Sequence, residues 1–358
     1  MKGKETLKGL RPYLPGRPME EVKKEYGLDR VIKLASNENP FGFSEKVGDV
    51  LKEGLTNLQY YPDGGAIDLK EVLAEFHGVT KEQLLVGAGL DEVIQIVSRA
   101  LLTKGDEIIV PNPTFPQYAH HAIIEGADVI KVDVNPATGE MDLEKMIEQI
   151  TWDTKIIWLC NPNNPTGTYV SQYKIKDFLD RIPEHILVIS DEAYQEYVTE
   201  EEVSSSFNFL KEFPNLMIMR TFSKAYGLAG LRIGYAIMSE ELAQVLEVAR
   251  LPFNTSSLAQ KAAITALEDQ EFIRRMTKMN SEELEKWEEY LSERQIPYYV
   301  SQTNFIFFDV GEKDGAVTQG LLEKGFIIRG GLKPGWLRVT IGEKNDNLML
   351  RNTLSELI

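Results

Sequence analysis

The sequence predicts an α/β protein with a mostly parallel central sheet between helices, and three observations lead to this class. From Glu82 onward, short apolar runs alternate with segments whose apolar residues recur at helical spacing, as in strand–helix–strand units. Polar loops, many containing Gly or Pro, follow most of these runs. The chain has 358 residues, 43% of them hydrophobic, which is enough for two packed domains.

The apolar runs predict the elements in chain order. Residues 83–86 are expected to form a strand, and an amphipathic helix follows it over 91–102. Further strands are predicted at 107–110, 155–160, 186–190, 216–220 and 232–238. After Pro252 the pattern changes to a long amphipathic helix over 272–291 and to strands at 304–310, 326–329 and 337–341.

We therefore expect three parts. Residues 1–30 form an N-terminal arm, in which Pro12, Pro15 and Pro18 disfavour regular structure. Residues 31–250 form a large domain, whose first part is a candidate contributor to the small domain. Residues 251–358 form that smaller α+β domain.

Composition excludes several classes of partner. A net charge of −16 argues against nucleic acid, which is bound by clustered Lys and Arg. The one cysteine, Cys160, lies in an apolar run and cannot form an internal disulfide, so we expect a cytoplasmic protein. No apolar run is long enough for a membrane span, so no membrane partner is expected. The four histidines lack metal-ligand spacing, and no metal is predicted.

Three loops that follow predicted strands carry chemically unusual residues. The Asn- and Pro-rich loop 161–167 follows one strand, Asp191 and Tyr194 follow the next, and Lys224 follows the third. Taken singly, such a loop is most simply a turn and such a lysine a solvated charge. Together they occur beyond the carboxyl ends of strands, where open α/β sheets bind ligands. The combination therefore predicts one site.

Several segments of the chain match one enzyme family: LASNENP (34–40), YPDG (61–64), PTF (113–115), NPNNPTG (161–167), DEAY (191–194), RTFSKAYG (220–227), LRIGY (231–235) and LRVTIG (337–342). Through them the sequence resembles the fold-type I aminotransferases that use pyridoxal 5'-phosphate, and within these the histidinol-phosphate aminotransferase family. The resemblance covers nearly the whole chain. It implies a large domain with a mostly parallel sheet, a smaller domain and an arm.

The resemblance implies three catalytic residues: Lys224 as the Schiff-base partner of the cofactor, Asp191 beside its ring nitrogen, and Tyr194 near its phenolic oxygen. An anionic carboxylate is needed there because it keeps the ring nitrogen protonated. Asn164 matches a second partner of the phenolic oxygen, and Phe115 matches the stacking ring. Lys224 must be neutral to react, and burial and the cation Arg232 are both expected to lower its pKa. The expected cycle is ping-pong.

The cofactor phosphate needs convergent donors and positive charge. The residues that match this role are Leu90, Asp91, Thr221, Ser223, Arg232 and, from a neighbouring subunit, Tyr61. The role of Tyr61 implies a homodimer in which each site contains residues of both subunits. Asp91 can donate only from its backbone, and its side chain repels phosphate unless it turns back to cap the helix.

For substrates, the resemblance implies a small-molecule amino donor and a 2-oxo acid acceptor. The residues expected at the substrate end are Tyr13, Asn37, Arg329 and Arg338, the arginines because they bind both carboxylate and phosphate. The implied reaction converts histidinol phosphate and 2-oxoglutarate to imidazole-acetol phosphate and glutamate, in histidine biosynthesis.

Three alternatives stay open from the sequence. The stretch 329–336 looks shorter than in many relatives. It brings a charge, Lys333, and an aromatic ring, Trp336, near the expected substrate end, so an aromatic amino acid aminotransferase is one alternative. Decarboxylases of phosphorylated amino acids share the same lysine and phosphate site. The fold also serves as an effector domain of transcription regulators, but only about 30 residues precede the body and the net charge is acidic.

Overall fold

A computed structural model describes residues 3–12, 16–200 and 205–358. In chain order, the strands are β1 (Ile32–Lys33), β2 (Leu84–Gly87), β3 (Glu107–Asn112), β4 (Asp128–Asp133), β5 (Thr154–Cys160), β6 (Leu187–Asp191), β7 (Leu216–Thr221), β8 (Gly234–Ile237), β9 (Tyr298–Tyr299), β10 (Phe305–Asp309), β11 (Phe326–Ile327) and β12 (Trp336–Thr340). The α-helices are α1 (Met19–Tyr26), α2 (Glu45–Gly54), α3 (Ile67–His77), α4 (Leu90–Leu101), α5 (Gln117–Glu125), α6 (Leu143–Glu148), α7 (Gln172–Leu179), α8 (Glu240–Ala249), α9 (Ser257–Glu268), α10 (Gln270–Glu293), α11 (Asp314–Glu323) and α12 (Lys344–Ser355).

The centre of the molecule is a seven-stranded sheet with the order β2-β8-β7-β6-β5-β3-β4. Only β8 runs antiparallel to its neighbours; the pairs β7–β6, β6–β5, β5–β3 and β3–β4 are parallel. The predicted α/β class with a mostly parallel sheet is thereby confirmed. The chain continues from β3 to β4 on one side and from β5 to β6 on the other, so the strand order switches between the adjacent strands β3 and β5. Such switch points are where these folds bind ligands.

Helices cover both faces of this sheet because its strands are apolar on both sides. Alternate residues of β5 illustrate this: Ile156 and Trp158 pack with α4, α5 and α8, whereas Ile157 and Leu159 pack with α6 and α7. Toward the β2–β8 end, the second face is covered by α3, α9 and the start of α10. The sheet is therefore buried, and its strand ends are held rigidly.

A second, smaller region forms around β10, which pairs antiparallel with β9 and β12. It buries one core together with the later part of α10, α11 and α12. The strand β1 pairs in parallel with β11, so residues 32–33 join this region although they precede the central sheet. The segment between Leu34 and Asn39 thus lies between the two regions.

The residues around 250 do not separate two cores. Ala259, Ala263 and Phe272 belong to the same apolar cluster as Leu69 and Val86 from the central sheet region. The division into 31–250 and 251–358 stays a prediction, with α9 packed on the large side of it.

The predicted strands on the central sheet form with shifts of one or two residues at their ends. Within the central sheet β4 was not predicted, because it is an edge strand in which only Val132 is buried and it lacks an apolar pattern; the two-residue strands β1 and β9 outside this sheet were not predicted either. The strand predicted from 232 begins at Gly234 because Arg232 has a left-handed φ of 52°. Across the described ranges, no helix has both the length and the apolar character needed to cross a membrane.

Candidate active site

A cavity of about 250 Å³ opens at the carboxyl ends of β3, β5, β6 and β7. The sequence-predicted residues that line it are Asn37, Leu90, Asp91, Phe115, Asn164, Asp191, Tyr194, Thr221, Ser223, Lys224, Arg232, Arg329 and Arg338. These residues come from segments far apart in the chain, and the sheet brings them together. Ser36 and Leu332 also line the cavity.

Lys224 lies in the tight turn that follows β7. The turn is closed by a hydrogen bond from the Gly227 amide to the Lys224 carbonyl, 3.0 Å long. Gly227 has φ +72°, and a Cβ there would lie 1.9 Å from the carbonyl oxygen of Gly42. The Lys224 ammonium donates to the carbonyl of Ser36 at 3.1 Å. Burial, then the charge of Arg338, lowers the Lys224 pKa from 10.5 to about 8.

Asp191 ends β6 and is buried. Its carboxylate accepts a hydrogen bond from the hydroxyl of Tyr118 at 2.5 Å and another from the Ala193 amide at 3.1 Å. Burial raises the pKa of Asp191 to about 6, while these two donors act in the opposite direction. The site therefore presents a buried acid that gains from a nearby positive charge.

Tyr118 is a site residue that the sequence reasoning missed. It is fully buried on α5, where its ring stacks on Trp158 with centroids 4.3 Å apart. Its position three residues after Phe115 is the only signal in the sequence, and one aromatic residue at that spacing normally indicates core packing.

Tyr194 is held by two amide side chains. Its hydroxyl accepts from Asn37 Nδ2 at 2.8 Å and from Asn164 Nδ2 at 3.4 Å. The orientation of the Asn164 amide follows from Arg338, whose Nη1 donates to Asn164 Oδ1. With two donors already directed at the Tyr194 oxygen, its own O–H proton can point into the cavity. Burial raises the pKa of Tyr194 above its usual value, so it is a phenol, not a phenolate.

Asn37 is the most constrained residue of the segment between the two regions. It is buried and has a left-handed φ of 55°, a conformation that Asn tolerates better than most residues. Its amide donates to Thr340 Oγ1 at 3.0 Å, and its carbonyl accepts from Asn304 at 3.0 Å. Asn37 thus connects β10 and β12 to Tyr194 across the cavity.

The end of the cavity near α4 is positively charged. Arg232 Nη1 donates to Ser223 Oγ at 3.3 Å, and Arg232 Nη2 lies 3.6 Å from an Asp91 carboxylate oxygen. The helix α4 begins at Leu90, so its first amides face the same end. The Asp91 side chain does not turn back to cap the helix: its carboxylate pairs with Arg232, and the residue at the cap position is Gly89.

Arg329 and Arg338 form the opposite end. Their backbones pair as an isolated antiparallel bridge, with hydrogen bonds of 3.1 and 2.8 Å. The Arg338 side chain is buried, and its Nη2 donates to the carbonyl of Ala35 at 2.8 Å. Of the stretch 329–336, Arg329 and Leu332 line the cavity, whereas Lys333 and Trp336 do not, and Trp336 is buried beside Tyr299.

One predicted residue, Tyr61, lies elsewhere. Tyr61 is 83% exposed and stacks on Phe253 with centroids 4.8 Å apart, outside the cavity of its own chain. Tyr13 lies outside the described residues. Within the described ranges, no group of three or more His, Cys, Asp or Glu side chains is arranged to hold a metal.

Comparison with known proteins agrees with this geometry. Residues 29–354 match the family of class I and II aminotransferases. With the half-buried lysine and the buried acid at the strand ends, this defines the protein as a pyridoxal-phosphate-dependent aminotransferase.

Relatives that match the whole chain identify one family within this class of enzymes. The chain is 50% identical to histidinol-phosphate aminotransferases of Bacillus cytotoxicus and Geobacillus thermodenitrificans, covering 100% of this chain and 97% and 98% of theirs. The crystal structure of the Sinorhizobium meliloti histidinol-phosphate aminotransferase, solved with pyridoxal-5'-phosphate, has a TM-score of 0.89 at 25% identity and covers 99% of this chain and 97% of that one. The chain belongs to the histidinol-phosphate aminotransferase family.

Proposed function

We propose that the protein transfers the amino group of histidinol phosphate to 2-oxoglutarate, with pyridoxal 5'-phosphate as cofactor. The observation that carries this proposal is one cavity lined by a half-buried lysine, with its pKa lowered to about 8, together with a buried acid and an arginine pair. Membership of the family at 50% identity supports the choice of substrates.

The cavity fits the cofactor at three points. Asp191 is buried and gains from a positive charge, which the protonated ring nitrogen supplies. Ser223, Arg232 and the first amides of α4 suit a phosphate. Gly89 supports this fit, because a Cβ there would lie 2.2 Å from Arg232 Nη2 and displace the guanidinium. Phe115 offers an apolar face for the ring.

When bound, pyridoxal phosphate supplies an electron sink that stabilises the negative charge left on Cα after deprotonation. Lys224 is proposed as the group that removes this proton and returns it. A lysine whose pKa is about 8 is partly neutral near physiological pH, so its Nζ can accept a proton there. The Tyr194 O–H, held by Asn37 and Asn164, is proposed to donate to the phenolic oxygen.

The arginine pair is proposed to select substrates by charge. Glutamate carries an α-carboxylate, whereas histidinol phosphate carries a phosphate instead, and a guanidinium can bind either with two parallel hydrogen bonds. Arg338 is buried against the cofactor residues, and Arg329 lies beside it. Two cations at one end of the cavity suit the anionic groups of both substrates although the protein as a whole is acidic.

The test is a half-reaction screen. The holoenzyme is mixed in turn with histidinol phosphate, glutamate, phenylalanine, tyrosine and threonine phosphate, and the rate of cofactor absorbance change is recorded. We expect histidinol phosphate and glutamate to react fastest, and the Lys224→Ala variant to be slower by at least about 100-fold. Faster reaction with phenylalanine or tyrosine than with histidinol phosphate would overturn the proposal in favour of an aromatic aminotransferase. Release of CO₂ from threonine phosphate would indicate a decarboxylase.

We also propose that the protein is a cytoplasmic homodimer whose sites are completed by Tyr61 of the partner subunit. Tyr61 is exposed, and the neighbouring side chains of Leu55, Leu58 and Tyr60 are exposed apolar groups as well. Burial of such a surface against a second copy would remove it from water.

A further inference from the structure

The segment 329–338 forms a hairpin at the mouth of the cavity. Its base is the backbone pairing of Arg329 with Arg338, and its tip is closed by a hydrogen bond from the Trp336 amide to the Lys333 carbonyl, 3.0 Å long. Leu332 lies between base and tip and lines the cavity. Any movement of the tip therefore moves Leu332.

Lys333 is unusual for a lysine at a hairpin tip because it is half-buried. Its Nζ lies 3.9 Å from the centroid of the Trp336 ring and 5.2 Å from that of Tyr299. It also donates to the Tyr299 hydroxyl at 3.0 Å. Two aromatic faces and one hydrogen bond thus hold the ammonium, an arrangement that stabilises a partly desolvated cation.

Tyr299 connects this tip to the large domain. Its ring stacks on Trp336 with centroids 4.4 Å apart, and its hydroxyl donates to the carbonyl of Pro136 at 3.2 Å. A Cβ on Gly139 would lie 2.6 Å from the Tyr299 ring, so the ring rests directly on that turn after β4. Through Tyr299 the hairpin tip is therefore anchored to the turn after β4.

We propose that the Lys333–Trp336–Tyr299 stack positions Leu332 as an apolar wall that favours an amino donor with a ring. Leu332 packs on Tyr299, Phe307 and Trp336 on one side and faces the cavity on the other. An apolar wall stabilises a planar ring by contact area and contributes less to the shorter side chain of glutamate. Leu332 then determines specificity, and Lys333 and Tyr299 are positioning residues. The inference rests on the proposed function.

The test compares two amino donors in the holoenzyme. For each variant, kcat and KM are measured separately with histidinol phosphate and with glutamate, together with the equilibrium affinity for histidinol. We expect Leu332→Ala to lower the ratio of kcat/KM for histidinol phosphate over glutamate by about tenfold, as for the loss of a few methyl groups from an apolar pocket. Lys333→Met is expected to lower it by about fivefold, mainly through KM, because the cation–π contact is lost.

Two control variants test whether a change in the ratio comes from loss of the cation over Trp336. Lys333→Arg keeps a cation over Trp336 and should keep the wild-type ratio. Lys176→Met removes another lysine that lies over an aromatic ring, 4.8 Å from the centroid of Phe213 and away from the cavity, and should leave the ratio unchanged. An unchanged ratio in both Leu332→Ala and Lys333→Met would refute the inference. A wild-type enzyme that does not use histidinol phosphate would instead refute the proposed function, so the two failures are distinguishable.

Discussion

At the scale of single residues, the site depends on how burial shifts proton affinity. Asp191 is buried and Lys224 is half-buried. Removal from water disfavours the charged form of each, so the pKa of the amine falls and that of the acid rises. Ordinary values would leave the lysine protonated and the acid ionised at neutral pH. The shift of Lys224 brings it toward the pH range in which proton transfer is efficient, whereas the raised pKa of Asp191 means that its anion gains from a positive charge placed beside it.

The first prediction concerns the pH dependence of Lys224. Because its pKa falls from 10.5 to about 8, we expect the rate of pyridoxal phosphate uptake by the apo protein to increase with pH and to level off above about pH 8. Below that value, the neutral fraction of the amine falls about tenfold per pH unit. Stopped-flow absorbance from pH 6 to 10 measures the rate. A rate that still rises near pH 10 would mean that the amine is not perturbed.

The second prediction concerns Tyr118, whose hydroxyl donates to Asp191. Tyr118→Phe removes this donor and keeps the ring on Trp158. A hydrogen bond to a charged group contributes about 1.5–3 kcal/mol, so we expect cofactor affinity to fall by about tenfold or more, and the pKa of Asp191 to rise further. Equilibrium dialysis measures the affinity. Tyr226→Phe, a buried tyrosine on the turn of Lys224 whose hydroxyl is near Gln270, is the control and should bind the cofactor as the wild type does.

At the scale of elements, the strand ends decide where chemistry occurs. Parallel strands β5, β6 and β7 end at the same edge, and each is followed by a loop that carries one predicted group: Asn164, Asp191 or Lys224. The helix α4 contributes its first turn to the same edge. The loop before α4 is the tightest of these connections because it must leave room for Arg232.

The third prediction tests that loop. Gly89 has φ +80° and ψ 173°, a region open almost only to glycine, and a Cβ there would collide with Arg232 Nη2. Gly89→Ala should lower the free energy of unfolding by about 1–3 kcal/mol and weaken binding of both the cofactor and inorganic phosphate. Thermal unfolding and phosphate titration measure these effects. Gly230→Ala, where an added Cβ has no atom within 4 Å, is expected to change neither quantity.

At the scale of the whole molecule, the proposed homodimer would account for the exposed position of Tyr61. Tyr61 lies outside the cavity of its own chain and stacks on Phe253, which is also exposed. A two-fold dimer presents the same surface of each subunit to the other, so one contact pattern completes two sites.

The fourth prediction is that Tyr61 acts across the dimer. Tyr61→Ala and Lys224→Ala homodimers are each expected to have little activity. Unfolding and refolding them together yields hybrid dimers in which one site carries both changes and the other carries neither. Such a mixture should recover roughly a quarter of wild-type activity, since half of the dimers are hybrids with one intact site. Activity that never exceeds the average of the two variants would show that Tyr61 acts within its own subunit, and sedimentation would report whether dimers formed.

Some features of the fold could not be predicted from the sequence. The predicted strands were found because each has an apolar run, whereas β4 was missed because it is an exposed edge strand. Arg232 was expected within a strand but has a left-handed backbone that directs its guanidinium to Ser223. Such a conformation depends on the contacts of the folded chain and leaves little trace in the residue pattern.

The sequence by itself determined the α/β class, the order of the main elements and the segments that carry the chemistry, because hydrophobic periodicity and short motifs are local properties. Only the tertiary structure decided which distant side chains meet. It paired Tyr118 with Asp191 and Asp91 with Arg232, turned Leu332 toward the cavity and Trp336 away from it, and joined β1 to β11. These outcomes depend on strand register and on side-chain direction, which packing fixes only when the whole chain has folded.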